Sequence, residues 1–237
     1  MNKRLETLMS YIPAGKGLID VGSDHGFLPV ELAKNGYSGL LFASDIHPDP
    51  LDAARRTAAK AGLDGRIRFL LCDGLSLCDP DQIDTIVIAG MGGDLICRIL
   101  DQAEWTMDPG YTILLQPMTK AEVLRYWLSN NDYGILAEDL VQDGGKLYQL
   151  MLVRFGQAEP LTDAELYTGS LRLVRENPLF PQLLDTQIDR IRTQLNGLEQ
   201  SRASGHPGRQ RLLRGILQEL EEMRKNENSR RDLSVSL

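Results

Sequence analysis

Leu18-Ile19-Asp20-Val21-Gly22-Ser23-Asp24-His25-Gly26-Phe27-Leu28-Pro29 reads as a buried strand that enters a tight glycine-bearing turn and leaves it as a helix. Leu18, Ile19 and Val21 supply the apolar strand, and Val30, Leu32 and Ala33 continue as a helical pattern. A strand, a tight turn and a helix N-terminus aim backbone N–H groups and a helix dipole into one crevice, which makes a cradle for a nucleotide-like ligand. The spacing departs from the dinucleotide fingerprint G-x-G-x-x-G. Gly22 and Gly26 are present, but Asp24 stands where that pattern needs the glycine that admits a pyrophosphate. An acidic turn suits a ligand with cationic groups. S-adenosylmethionine carries a sulfonium and an ammonium, so the turn points to a methyl donor.

Outward from this turn, strand-like runs alternate with helical patterns. The runs are Gly17–Val21, Gly39–Ser44, Ile67–Leu71, Thr85–Ala89 and Tyr111–Gln116, with helices expected around 27–35, 48–62, 93–104 and 119–130. Such alternation implies βαβ units and a mainly parallel sheet. Two β-rich runs follow, Tyr133–Val141 and Lys146–Phe155, joined by the turn signal Gln142-Asp143-Gly144-Gly145. The expected fold class is therefore α/β. It is a Rossmann-like class I methyltransferase sheet of five parallel strands closed by a β-hairpin, where an NAD-binding relative would add another βαβ unit. A small α-helical, coiled-coil-like C-terminal domain follows. Leu184, Ile188, Ile191, Leu195 and Leu198 form one a/d seam, and Leu213, Ile216, Leu220 and Met223 form another. Ser204-Gly205-His206-Pro207-Gly208 between them breaks the helix into an antiparallel hairpin, and Asn226–Leu237 reads as a frayed tail. The expected domains are 1–156 for cofactor binding and 157–237 for the hairpin, serving RNA binding, packing or dimerisation.

Size and charge bound the function. The 237 residues suffice for one α/β core and an appendage. No segment reaches the roughly 18 apolar residues that span a bilayer, and the N-terminus lacks an apolar signal core. Cys72, Cys78 and Cys97 are odd in number and lack metal-binding spacing, so a reducing cytoplasm and no metal are expected. The formal net charge is −7. All of it lies in residues 1–156, which hold 14 Lys/Arg against 21 Asp/Glu, while residues 157–237 hold 12 of each. A nucleic-acid partner would therefore be met by a local basic patch rather than by the whole field.

Candidate site residues follow the strand ends. Asp20 and the turn residues Gly22, Ser23, His25 and Gly26 are cofactor candidates. Asp45 and Ile46 end the second strand, where a carboxylate can accept both ribose hydroxyls. Cys72, Asp73 and Gly74 end the third, with Asp73 facing an adenine amino group in such sheets. Ala89 and Gly90 end the fourth and join the cofactor set, while Met91, Gly92 and Gly93 open the crevice toward a substrate. Gln116, which could meet a base edge, and Pro117 end the fifth. Asp24 and Gln116 are the catalytic candidates. Arg4, Arg55 and Arg56, with Lys3 and Lys60, are candidate phosphate contacts.

With those residues in view, the chain resembles the bacterial tRNA (adenine-N1)-methyltransferases that act on adenine 22 of tRNA. The likeness rests on Asp20–Pro29, Asp73-Gly74-Leu75, Ile88–Gly93, Leu115-Gln116-Pro117 and Gly145-Lys146-Leu147-Tyr148, and with the helical hairpin it covers nearly the whole chain. The resemblance implies S-adenosyl-L-methionine as donor, tRNA as partner, and a C-terminal domain that helps hold the tRNA. Gly26 stands where such proteins often carry Ala, and Met118 where they carry Asn. Two competing expectations are a methyltransferase for a small molecule or protein, and a non-catalytic module that binds RNA or a partner and retains the cofactor. A nucleotide-dependent oxidoreductase is disfavoured by Asp24 and the closing hairpin. Monomer and homodimer both remain open.

Overall fold

The protein is described by a computed structural model over residues 3–200 and 207–235. It divides into two compact units, Met1–Pro160 and Leu161–Leu237.

In the first unit a helix, α1 (Lys3–Ser10), precedes the sheet. Then follow β1 (Gly17–Val21), α2 (Phe27–Lys34), β2 (Leu40–Asp45), α3 (Pro48–Lys60), β3 (Ile67–Leu71), β4 (Thr85–Gly92) and α4 (Gly93–Asp101). The unit ends with β5 (Thr112–Thr119), α5 (Ala121–Asn130), β6 (Tyr133–Asp143) and β7 (Lys146–Phe155). The seven strands lie in the order β3-β2-β1-β4-β5-β7-β6. The first five are parallel, and β7 runs antiparallel to both β5 and β6. The expected class I methyltransferase sheet is thus formed.

The apolar strands are explained by cover on both faces. Successive side chains of a strand point to opposite sides, so Leu18 of β1 joins Leu8 of α1, Leu28, Val30 and Leu32 of α2 and Ala58 of α3. Ile19 and Val21 join Ile96 and Leu100 of α4 and Leu124 and Leu128 of α5 on the other face. Chain order reverses between β1 and β4, and crevices outside such switch points receive ligands.

Three local outcomes differ from the sequence reading. First, α1 carries no readable signal of its own, because eight residues with a single fully buried side chain, Leu8, leave too short an apolar stripe. Second, β4 runs on to Gly92 and β5 to Thr119, with register shifts around Met91. Gly90, at φ +84°, supplies the bulge. Gly92 and Gly93 therefore lie packed against the end of β5 and the residue after it. A Cβ at Gly92 would lie 3.2 Å from Thr119 Oγ1, and one at Gly93 would strike the Lys120 carbonyl.

In the second unit α6 (Asp163–Thr168) and α7 (Leu171–Val174) lead into α8 (Phe180–Gln200) and α9 (Pro207–Val235). The antiparallel pairing of α8 and α9 is marked by rungs Glu199–Arg214, Arg192–Glu221 and Asp185–Arg224. Leu184, Ile188, Ile191 and Leu195 are buried in one helix and Leu213, Ile216 and Leu220 in the other. The expected breaker residues Ser204–His206 lie outside the described residues. Third, the tail read as frayed is helical to Val235. Glu227 is buried there and accepts from Arg175 Nε at 2.5 Å, and Arg230 reaches Glu176 at 2.7 Å. Among the described residues, no helix is long and apolar enough to cross a membrane.

Candidate functional site

The turn after β1 is held by its own backbone. Gly22 N–H and Ser23 N–H both donate to the Ser44 carbonyl of β2, at 2.8 and 3.0 Å, and Gly26 N–H donates to the Ser23 carbonyl. Three of its residues have positive φ: Gly22 (+70°), Asp24 (+48°) and Gly26 (+70°). Left-handed backbone is easy for glycine and tolerable for Asp. A non-glycine residue kept there often marks a functional constraint. The turn leaves Asp24 exposed and pins Ser23, which is buried.

Two cavities open on either side of this turn and share Gly22. The smaller, about 90 Å³, is lined by Ser44, Asp45 and Ile46 from the end of β2, Cys72, Asp73 and Gly74 after β3, and Met91, Leu95 and Arg98. The larger, about 280 Å³, is lined by Asp20, Ser23, Asp24, His25, Phe27, Ala89, Gly90 and Met118, with Arg4, Leu5 and Leu8 of α1. Met91 lies against Gly22 between them; a Cβ on residue 22 would collide with its methyl group. The two cavities together match the lower end of ordinary cofactor clefts, roughly 300–1,000 Å³.

Each cavity carries a distinct charge arrangement. In the smaller, Asp45 accepts the His47 N–H at 2.9 Å, and Asp73 is met by Arg98 at 3.3 Å. Burial pushes the Cys72 thiol up, so it stays protonated as an apolar wall. In the larger, Asp20 is 6% exposed and accepts the Ser23 hydroxyl at 2.6 Å. Burial pushes its carboxyl up to about 6, against the pull of that hydrogen bond and of Arg4. A buried acid in this condition is suited to receive a cation. At the mouth the rings of His25 and Phe27 lie 5.4 Å apart, and Phe27 is 57% exposed. His25 Nε2 is 3.7 Å from the Asp24 carboxylate.

Most cofactor candidates of the sequence reading thus face these two cavities. Gly26 faces neither; a Cβ there would sit 2.9 Å from Ala54 Cβ of α3, so this glycine lets α2 and α3 pack closely. Of the substrate candidates, Met91 lines the smaller cavity and Arg4 the larger, while Gly92, Gly93 and Pro117 line neither of the two. Arg55 and Arg56 are exposed on α3, with Arg55 over the Phe69 ring at 4.7 Å. Gln116 is fully buried. Its carbonyl oxygen accepts from Arg4 Nη1 at 3.2 Å, and its amide nitrogen donates to the Pro117 carbonyl at 3.1 Å. Met118 takes the exposed place beside it. Phe27, Leu95 and Arg98 are lining residues that the sequence reading misses; only Phe27 sits within a readable motif. Among the described residues no three His, Cys, Asp or Glu side chains are grouped as a metal site.

Comparison with known proteins gives three kinds of match. A model of the methyltransferase domain matches residues 1–151. The tRNA (adenine(22)-N(1))-methyltransferase of Bacillus subtilis (strain 168) is 31% identical over 185 residues, 76% of this chain and 78% of that protein. Among solved structures, Streptococcus pneumoniae Sp1610 in complex with S-adenosyl-L-methionine has a TM-score of 0.79 at 30% identity, covering 94% of this chain and 98% of the other. The B. subtilis m1A22 tRNA methyltransferase TrmK has a TM-score of 0.76 at 26% identity, covering 97% of each chain.

Proposed function

Since the chain belongs to the bacterial tRNA (adenine(22)-N1)-methyltransferase family, we propose that it transfers a methyl group from S-adenosylmethionine to N1 of adenine 22 in tRNA. The observation that carries this is the pair of cavities meeting at Gly22, with acids in both and no glycine at position 24 to admit a diphosphate. Asp45 suits the ribose hydroxyls and Asp73 the adenine amino group, which supports a reading with the adenosine end in the smaller cavity. The methionyl end then enters the larger one beside Asp20.

When bound, the donor supplies a sulfonium methyl that a neutral adenine N1 lone pair takes in line. The C–S bond breaks as the N–C bond forms, and the positive charge passes to the base. N1 is engaged in pairing within a duplex, so the adenine must be unpaired or flipped to reach the cleft. The chain's main task is orientation, worth several orders of magnitude in rate. Asp24, exposed in the larger cavity, is placed to favour the cationic product or to accept a proton from its amino group. Gln116 acts through Arg4, with its amide already committed. The helical unit is proposed to help hold the tRNA.

The test is incubation with methyl-labelled S-adenosylmethionine and total bacterial tRNA, followed by mapping of the label. Label on adenine 22 is expected, and absence of label from every tRNA overturns the proposal. Label in a metabolite or protein pool instead would favour the broader methyltransferase reading. Asp24→Asn should slow turnover at unchanged cofactor affinity; full turnover would remove Asp24 from the mechanism.

A further inference from the structure

Two large apolar side chains stand in water at the larger cavity. Phe27 is 57% exposed and Met118 42%, and both line that 280 Å³ space. Phe27 opens α2, whose next residues Leu28, Pro29 and Val30 are buried, while Met118 follows the buried run Ile113–Pro117 of β5. Each stands where its element leaves the core. Single exposed apolar residues are ordinary on a protein surface, but two lining one polar-walled cavity mark a place for an apolar ligand face. The strands that lead to them, β1 and β5, flank β4, which contributes Ala89 and Gly90 to the same cavity. Gly90 has no heavy atom within 4 Å of where a Cβ would lie, so the ground there is open. We propose that Phe27 and Met118 form an apolar clamp that stacks on the ring faces of the acceptor adenine. This rests on the methyl transfer to adenine given above.

Both side chains are steadied from behind. The His25 ring lies 5.4 Å from that of Phe27 at an interplanar angle of 32°, which limits the ways the phenyl can turn aside. Gln116 Nε2 donates to Met118 Sδ at 3.5 Å, and Gln116 is itself fully buried, so the thioether is tethered to the core. A polarisable sulfur against an aromatic ring is a favourable contact, and a base stacks on an aromatic side chain through its π face. Met118 stands where the resemblance leads to Asn, so this chain offers an apolar contact in place of an amide. The polar edge of the base is left to Asp24, which lines the same cavity. The cofactor's own adenine fits less well between Phe27 and Met118. Its apolar contacts are supplied in the smaller cavity by Ile46 and Leu95, and the methionyl end has no ring to stack.

The experiment measures equilibrium binding of the full chain to two full-length tRNA transcripts, one with adenine at position 22 and one abasic there. S-adenosylhomocysteine is present to prevent turnover. The change on mutation in the ratio of the two affinities isolates the contact with the base, because the rest of the tRNA and the cost of unpairing the adenine cancel. Phe27→Ala should lower that ratio about 5–150-fold, the range for one stacked base, and Met118→Ala about 2–10-fold. Phe27→Tyr and Met118→Leu, which keep a ring and an apolar wall, should retain most of it. Affinities for the abasic transcript and for S-adenosylmethionine should stay unchanged, since truncating exposed side chains removes little core packing. Equal loss on both transcripts would make the pair a general RNA contact and overturn the proposal. Weaker S-adenosylmethionine binding at an unchanged ratio would make it a cofactor wall and overturn it as well. A wild type that labels no tRNA would defeat the function on which the clamp rests, whereas label on adenine 22 with an unchanged ratio would defeat the clamp alone.

Discussion

Asp20 shows how one residue trades stability for a site. Burial raises its carboxyl to about 6, so the native state retains a proton that the unfolded chain gives up at lower pH. The stability tied to that proton is whole below the ordinary carboxylate range and is lost as pH rises through 6. Asp20→Asn cannot ionise and can still accept the Ser23 hydroxyl. It should therefore exceed the wild type at pH 7 by about 1–3 kcal/mol, with the difference vanishing near pH 4 in thermal melts. The same variant should lose cofactor binding. A residue that gains stability when made neutral is retained for a cation it has yet to meet. The candidacy of Asp20, Asp45 and Asp73 was legible because each stands at or just past the end of a strand in sequence. The commitment of Gln116 to Arg4, 112 residues away, was not.

Single elements are held by packing and pairing that no local pattern announces. Gly93 begins α4 against the carbonyl of Lys120, the residue that leads into α5, so Gly93→Ala must force the starts of α4 and α5 apart. A loss of about 1–3 kcal/mol is expected, read as a lower midpoint in urea with an unchanged slope. The helix α5 is pinned to the closing hairpin by Arg125, which is 1% exposed. It donates through Nε to Glu138 of β6 at 2.7 Å and through Nη2 to Gln149 of β7 at 2.8 Å. Arg125→Met alone strands a buried carboxylate and should cost about 3–5 kcal/mol. Combining it with Glu138→Leu should restore much of that, and a double mutant no more stable than the single would show that Glu138 is not the charge left behind. The element types themselves were legible, since their apolar periods of two and of three to four are local. The lengths of β4 and β5 were not, because a strand stops where its neighbour stops.

At the scale of the whole molecule, a chain of net charge −7 must meet a polyanion through a patch. Arg55, Arg56 and Lys60 are exposed on α3 and line neither cavity. Reversing all three should leave cofactor affinity unchanged and lower the salt slope of tRNA binding by about 0.7–0.9 for each phosphate no longer neutralised. An unchanged slope would clear α3 of any role in holding tRNA. The parallel strands, the closing hairpin and the helical seams could be anticipated from sequence alone. They follow from hydrophobic periodicity, glycine turns and the rule that βαβ crossovers build parallel sheets. So did the choice of a cationic methyl donor over a diphosphate, because one side chain at position 24 decides it. Only tertiary structure decided that Gly92 and Gly93 pack against the end of β5 and the residue after it, that the last helix extends to Val235, and that Arg4 turns from a surface cation into the wall of a cavity. Those outcomes depend on what packs against each residue from distant parts of the chain, and burial and charge compensation have no local signal.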